Sequence, residues 1–172
     1  MNQTTPFSIF EQASTDQELQ QFRQTVVEGG FTAFRLFLEG FRDLLKRFED
    51  GEIERVNRLL AAARQLFPEP GRFSPSWVDI WNEFEQIAQF KQTVLESIVG
   101  DDRAGEWQIL IDNPYTNTDL ACYPSLTFLE GAYLYAYFRS DLKQNEFIRL
   151  QKIQNVIMAF GSERSEPSKK KA

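Results

Sequence analysis

Apolar side chains recur at steps of three and four residues along most of the chain, the spacing that brings them to one face of an α-helix. The clearest run extends from Phe31 to Phe48, and a second run of the same kind extends from Ile53 to Phe67. The turn-forming sequence Glu-Asp-Gly at 49–51 separates them. Since each run is shorter than about three heptads, the pattern predicts two helices packed within one bundle rather than a coiled coil.

Capping and helix-breaking residues delimit two further helices. Thr15 and Glu18 have the spacing of a capping box, in which each side chain bonds a free amide at the start of a helix. The two glycines at 29–30 are expected to end or bend that helix. Ser74, which precedes a proline, is expected to begin a long helix that stops near Gly100. Its inward-facing residues are predicted to be Trp77, Ile80, Trp81, Phe84, Ile87, Ala88, Val94, Leu95 and Ile98.

The helical pattern is interrupted at 101–124. The short runs "WQILI" and "LACYP" are suited to strands, and turn-forming residues separate them, so a small β-hairpin is predicted near 107–123. A helix is expected from Pro124 to about Ser140. A sixth helix is expected to follow and to end at Gly161, with an apolar stripe of Phe147, Leu150, Ile153, Ile157 and Phe160.

These elements predict a mainly α-helical, single-domain bundle of about six helices, with the small hairpin as an addition. A chain of 172 residues is long enough for one domain with its own core. The expected organisation is a flexible N-terminal segment at 1–13, a helical domain at 14–161 and a disordered polar, basic tail at 162–172.

The stretch "EGAYLYAYFR", at 130–139, is apolar or aromatic at almost every position. A strand would place alternate tyrosines on one face, but Leu126, Leu129, Tyr133 and Tyr137 form a longer stripe at helical spacing. The segment is therefore predicted to be a helix that is apolar nearly all round. Such a helix is usually buried at the centre of a bundle or covered by a partner.

All five tyrosines lie in a short part of the chain that also contains a tryptophan. The candidate partner- or ligand-binding residues are Trp107, Tyr115, Tyr123, Tyr133 and Tyr137. Tyrosine suits a surface that is apolar at one end and wet at the other. Three interpretations stay open: hydroxyl groups at the edge of the core, a protein interface, and a pocket for an apolar or planar small molecule.

The composition argues against histidine-dependent catalysis, a metal site, an intrachain disulfide and a glycine-rich phosphate-binding site. The chain contains 16 Phe and no His, so the usual general base and the commonest metal ligand are missing. Cys122 is the only cysteine, which excludes an intrachain disulfide and fits a reducing compartment. Glycine-rich phosphate-binding motifs are absent. No catalytic residue, metal site or cofactor is predicted, and the protein is expected not to be an enzyme.

The net charge of −6 lies in the body of the chain, because the last eleven residues carry four basic and two acidic side chains. An acidic body is repelled by nucleic acid. No stretch approaches the roughly 20 apolar residues of a membrane span, and no signal peptide is evident, so a cytoplasmic location is expected. The sequence favours a non-enzymatic adaptor or regulator that presents an aromatic-rich helical surface to a protein partner or to itself. The alternative is a carrier or sensor that holds an apolar ligand between helices and the tyrosine-rich loop.

Overall fold

The structure is a computed structural model, which describes residues 5–68, 77–115 and 121–154. Those ranges contain five α-helices, three strands and one short 3-10 helix, at Gly100–Arg103. The helices are α1 (Pro6–Gln12), α2 (Asp16–Arg47), α3 (Ile53–Leu66), α4 (Trp77–Ser97) and α5 (Phe128–Arg139). The strands are β1 (Trp107–Asp112), β2 (Ala121–Leu126) and β3 (Phe147–Lys152), and they form one antiparallel sheet in the order β2-β1-β3.

Helix α2 begins at the predicted capping box and bends at the predicted glycine pair. The amide of Glu18 donates to Thr15 Oγ1 at 3.2 Å, and the Thr15 amide donates to the Glu18 carboxylate at 3.0 Å. Gly30 has φ 67° and ψ −153°, a conformation that glycine adopts without steric cost. The helix therefore changes direction there before it continues to Arg47.

Phenylalanine rings form the centre of the core. Phe37 is fully buried, and its ring centroid lies 5.1 Å from those of Phe10 and Phe22 and 5.2 Å from that of Phe41. Phe10 comes from α1, within the segment predicted to be flexible, and both it and Phe7 are buried. The phenylalanine excess is thus largely explained by the core, to which ten phenylalanine rings of the described residues contribute: Phe7, Phe10, Phe22, Phe34, Phe37, Phe41, Phe48, Phe67, Phe84 and Phe128.

Helices α3 and α4 complete the helical part of the core. The predicted apolar face of α4 is confirmed at Trp81, Phe84, Ile87 and Leu95, which are buried. The Trp81 indole N–H donates to the carbonyl of Phe67 at 3.2 Å, so the buried ring keeps its hydrogen bond. The predicted cap at Ser74 lies outside the described residues.

The predicted hairpin is present, since β1 and β2 pair in antiparallel fashion, with Ile109 opposite Tyr123. The predicted start of the following helix at Pro124 is wrong. Pro124 lies within β2, and α5 begins after Thr127, whose hydroxyl and the Glu130 carboxylate form a capping box. Pro124 has no partner in the β1–β2 register, which shifts between Trp107 and Ile109, and proline is tolerated at such irregularities and on edge strands.

The predicted sixth helix is also wrong in its described part. Residues 147–152 form β3, which pairs with β1 along its whole length. The spacing of Phe147 and Leu150 fits a helix, but Ile148 and Leu150 also alternate with polar residues, as a strand with one buried face requires. Hydrogen bonding to β1 makes this segment a strand. Because β1 lies about 40 residues earlier in the chain, the local pattern does not reveal that pairing. The rest of the predicted helix, 155–161, lies outside the described residues.

Candidate functional site

Helix α5 carries the tyrosine-rich stretch and packs between the helical core and the sheet. Its buried residues are Phe128, Gly131, Ala132, Tyr133 and Ala136. Small residues let neighbouring elements approach closely: a Cβ added to Gly131 would lie 2.8 Å from Leu150 of β3. The helix contacts α4 and α2 on one side and all three strands on the other. Its nearly continuous apolar surface is thus explained mainly by burial.

Three rings of α5 and one ring of β2 form a series in which each ring contacts the next, which we call the aromatic row: Tyr123 of β2, then Phe138, Tyr137 and Tyr133 of α5. The Tyr123 and Phe138 rings stack with centroids 4.8 Å apart, and Tyr137 meets Phe138 edge-on at 5.4 Å. Tyr133 and Tyr137, one helical turn apart, stack at 6.1 Å. Tyr137 is 42% exposed and Tyr123 is 39% exposed, whereas Tyr133 is buried. The row therefore runs from the core to the surface.

Two of the five predicted site residues are not part of this row. Trp107 is buried against Phe128, with ring centroids 5.2 Å apart, and its indole N–H donates to the carbonyl of Arg103 at 2.8 Å. Tyr115 is 80% exposed at the end of the described part of the β1–β2 connection. Trp107 thus supports the fold, and Tyr115 stands apart from the other rings. The remainder of the tyrosine-rich loop, 116–120, lies outside the described residues.

A polar groove of about 530 Å³ borders Tyr137. Helix α4 and the chain after α5 line it with three carboxylates, from Asp79, Glu83 and Asp141, and none of the described residues that line it is basic. At the buried end of the row, burial raises the pKa of the Tyr133 phenol, and the neighbouring Tyr137 acts in the same direction. The row therefore presents neutral aromatic faces beside a negatively charged groove.

Lys91 is a buried cation that the pattern analysis missed. Its Nζ donates to the carbonyls of Leu45, Lys46 and Phe48 at 2.9, 2.8 and 2.7 Å. These carbonyls are at the end of α2, where intrahelical donors are lacking and the helix dipole is negative. Burial lowers the pKa of Lys91 to about 8, and the carboxylates of Glu52 and Glu49 oppose that shift. The signal was available, since position 91 is in phase with the apolar stripe of α4.

Other chemistry is sparse in the described ranges. No cluster of three or more Cys, Asp or Glu side chains there has an arrangement that would hold a metal ion. Among the helices of those ranges, none is both long and apolar enough to cross a bilayer. No protein-family model, no curated protein and no solved structure matches the chain.

Proposed function

We propose that this protein is a non-enzymatic interaction protein, an adaptor or regulator, and that the aromatic row is its binding surface. The single observation that carries the proposal is the exposure of Tyr123 and Tyr137 in a series of contacting rings that is anchored in the core by Tyr133. Aromatic residues that are held in place by packing lose little side-chain entropy when a partner covers them, which is why interfaces are rich in tyrosine.

The charge around the row favours a basic protein partner over a second copy. Asp79, Glu83 and Asp141 line the groove beside Tyr137, and cations are attracted both to carboxylates and to aromatic faces. A second copy would bring another chain of net charge −6 to the same surface. We therefore expect binding that weakens with salt, because exposed charges are screened over about 8 Å at physiological ionic strength.

The carrier hypothesis requires an apolar space enclosed by the tyrosine-rich region. In the described residues, the groove that borders Tyr137 is polar and open to solvent.

Native mass spectrometry of protein isolated gently from its source distinguishes a protein partner, self-association and a bound small molecule. A second, basic polypeptide supports the proposed partner, a doubled mass supports self-association, and an added mass of a few hundred daltons supports the carrier.

Site-specific crosslinking tests whether the partner contacts the aromatic row. Tyr137 is replaced by the photoreactive residue benzoylphenylalanine, and Phe31, an exposed ring on α2 outside the row, is replaced in the same way as the control. The proposal predicts that one basic polypeptide is crosslinked from position 137 and not from position 31. Equal crosslinking from both positions, or none from position 137 when the partner is in excess, would overturn it.

Substitutions then test whether the rings themselves bind. Tyr137→Ser removes an exposed ring and is expected to weaken capture of the crosslinked partner at least ten-fold, a loss typical of an interface hot spot. Phe31→Ser is the matched control and is expected to leave capture unchanged. Tyr137→Phe should leave stability within about 0.5 kcal/mol of the wild type, because its hydroxyl accepts and donates no hydrogen bond within the described residues.

A further inference from the structure

Strand β3 is an edge strand whose outer side is free in the described structure. The amide of Ile153 donates to the carbonyl of Glu106 at 2.8 Å, which sets the phase of the β1–β3 ladder. In an antiparallel pair, alternate residues bond to the neighbouring strand and the others point away from it. The N–H and C=O groups of Ile148, Leu150 and Lys152 therefore point outward, and no described residue bonds to them.

An apolar groove runs beside this free edge. It has a volume of about 440 Å³ and lies between β3 and the helices α4 and α5. Its apolar lining comes from Val94 of α4, Ile98 just after that helix, Tyr135 of α5, and Ile148 and Leu150 of β3. A free strand edge next to a groove that receives alternate side chains is the arrangement by which proteins bind an extended peptide as an added strand. No residue of the aromatic row lines this groove, so it is a separate surface.

The groove is positively charged although the protein is acidic. Arg139 and Arg149 line it, and no Asp or Glu of the described residues does. The Arg139 guanidinium lies 4.2 Å from the centroid of the Phe90 ring, and that of Arg149 lies 5.9 Å from the centroid of Phe147. Neither arginine forms an ion pair with a carboxylate of the described residues. Two guanidinium groups are thus available for the carboxylates of a bound segment.

We propose that the free edge of β3 binds an extended, acidic segment of a partner protein, which adds a fourth strand next to β3. Main-chain hydrogen bonds to Ile148, Leu150 and Lys152 supply affinity. Alternate apolar side chains enter the groove beside Arg139, and the acidic side chains, on the opposite face of the added strand, pair with Arg149. The opposite edge of the sheet is unsuitable, because Pro124 interrupts the donors of β2.

Charge argues against two other occupants of the edge. Pairing of β3 with β3 of a second copy would bring the basic side chains of Arg149 and Lys152 together with their counterparts, and like charges across a strand pair are destabilising. The last eleven residues of the chain carry four basic and two acidic side chains, so they also lack the required charge. Repulsion of basic strands favours acidic ones at this edge.

Hydrogen exchange of the free, full-length protein is the first test. The amides of Phe147, Arg149 and Gln151, which bond to β1, are expected to be protected from exchange, whereas those of Ile148, Leu150 and Lys152 are expected to exchange quickly. Protection of the second set in the monomer would show that the chain covers its own edge. Protection that grows with protein concentration would show a second copy there. Either result overturns the proposal.

Peptide binding is the second test, with a seven-residue peptide of alternating valine and glutamate as the probe. NMR titration of the full-length protein is expected to shift the amides of Ile148, Leu150 and Lys152, and the saturated complex is expected to protect them. The same peptide with lysine in place of glutamate should bind at least ten-fold more weakly, and the glutamate peptide with methylated valine nitrogens should not bind. Equal affinity for the three peptides, or no shift of these amides at millimolar concentration, would overturn the proposal.

Variants of the groove test the role of charge. Arg149→Gln is expected to weaken binding of the glutamate peptide about five-fold, the upper end for one exposed ion pair, and to strengthen binding of the lysine peptide, because it removes a like charge from the edge. Arg35→Gln, at an exposed arginine of α2, is the matched control and should leave both affinities unchanged. An equal loss in the two variants would mean that the peptide responds only to net charge and would contradict a site at β3.

Discussion

Replacement of Lys91 by methionine tests how burial and helix capping compete at the end of α2. The unfolded chain keeps the Lys91 proton up to the ordinary pKa of 10.5, whereas the folded protein releases it at about pH 8. Because the unfolded chain binds the proton more tightly, stability rises with pH through this window. At about 1.4 kcal/mol per pKa unit, the folded protein gains about 3 kcal/mol between pH 8 and 10.5.

The measurement is urea unfolding of the wild type and of Lys91→Met at pH 7.5 and at pH 10. Methionine keeps the length and the apolar stem of lysine but cannot titrate, and the other titrating groups are common to both proteins. Between pH 7.5 and pH 10, the unfolding free energy of the wild type should therefore rise by about 2–3 kcal/mol relative to that of Lys91→Met. Lys143→Met makes the same change at an exposed lysine and is the matched control.

An unchanged difference between pH 7.5 and pH 10 would refute this reasoning. The three carbonyls at 2.7 to 2.9 Å and the ring of Phe48, 4.1 Å from Nζ, all favour the ammonium form. If they outweighed burial, the pKa would not be lowered and the wild type would gain nothing at alkaline pH. The experiment thus decides which effect dominates at a buried helix end.

Three further predictions concern packing, capping and ionisation. Gly40→Ala should destabilise the protein by about 1–3 kcal/mol, because the added Cβ would overlap the Phe7 side chain. Exchange of the α1 amides measures the effect, and unchanged exchange would contradict this packing. Thr127→Ala should cost about 1 kcal/mol, since it removes the acceptor of the Glu130 amide. Thr25→Ala, at an exposed mid-helix threonine, should stay within about 0.5 kcal/mol in the same urea assay. The raised pKa of Tyr133 means that stability falls as pH rises past about 10. Tyr133→Phe should reduce that decline between pH 9 and pH 11, and an identical decline would show that the phenol ionises as easily when folded.

Local pattern was sufficient for the helices whose stripes are long. The run from Phe31 to Phe48, the capping box at Thr15 and the bend at the glycine pair each appear where the sequence predicts them. Each depends on residues within a few positions of one another, so its signal is contained in a short window. The first two strands were predictable for the same reason, since turn-forming residues lie between two short runs rich in apolar residues.

The candidate site was predictable only in part. Tyr123, Tyr133 and Tyr137 do come together, but helical spacing relates only the last two, and Tyr123 reaches the row because β2 lies beside α5. Phe138 joins the row because its ring stacks on that of Tyr123 from β2. Trp107 was placed with the tyrosines because it is close in sequence, yet its side chain lies in the core beside Phe128. Closeness in sequence does not determine which side of a strand faces the core.

The sequence by itself determined that this chain forms amphipathic helices around a core of large rings, because periodicity and capping act over a few residues. Only the tertiary structure decided that 147–152 is a strand, since its hydrogen-bond partner, β1, is distant in the chain. It also decided that Lys91 caps α2 from α4, and that, within the part of the chain that the structure describes, the β3 edge of the sheet is unpaired beside a groove lined by two arginines. Each of these features depends on contacts between distant segments, whose geometry a local pattern does not contain.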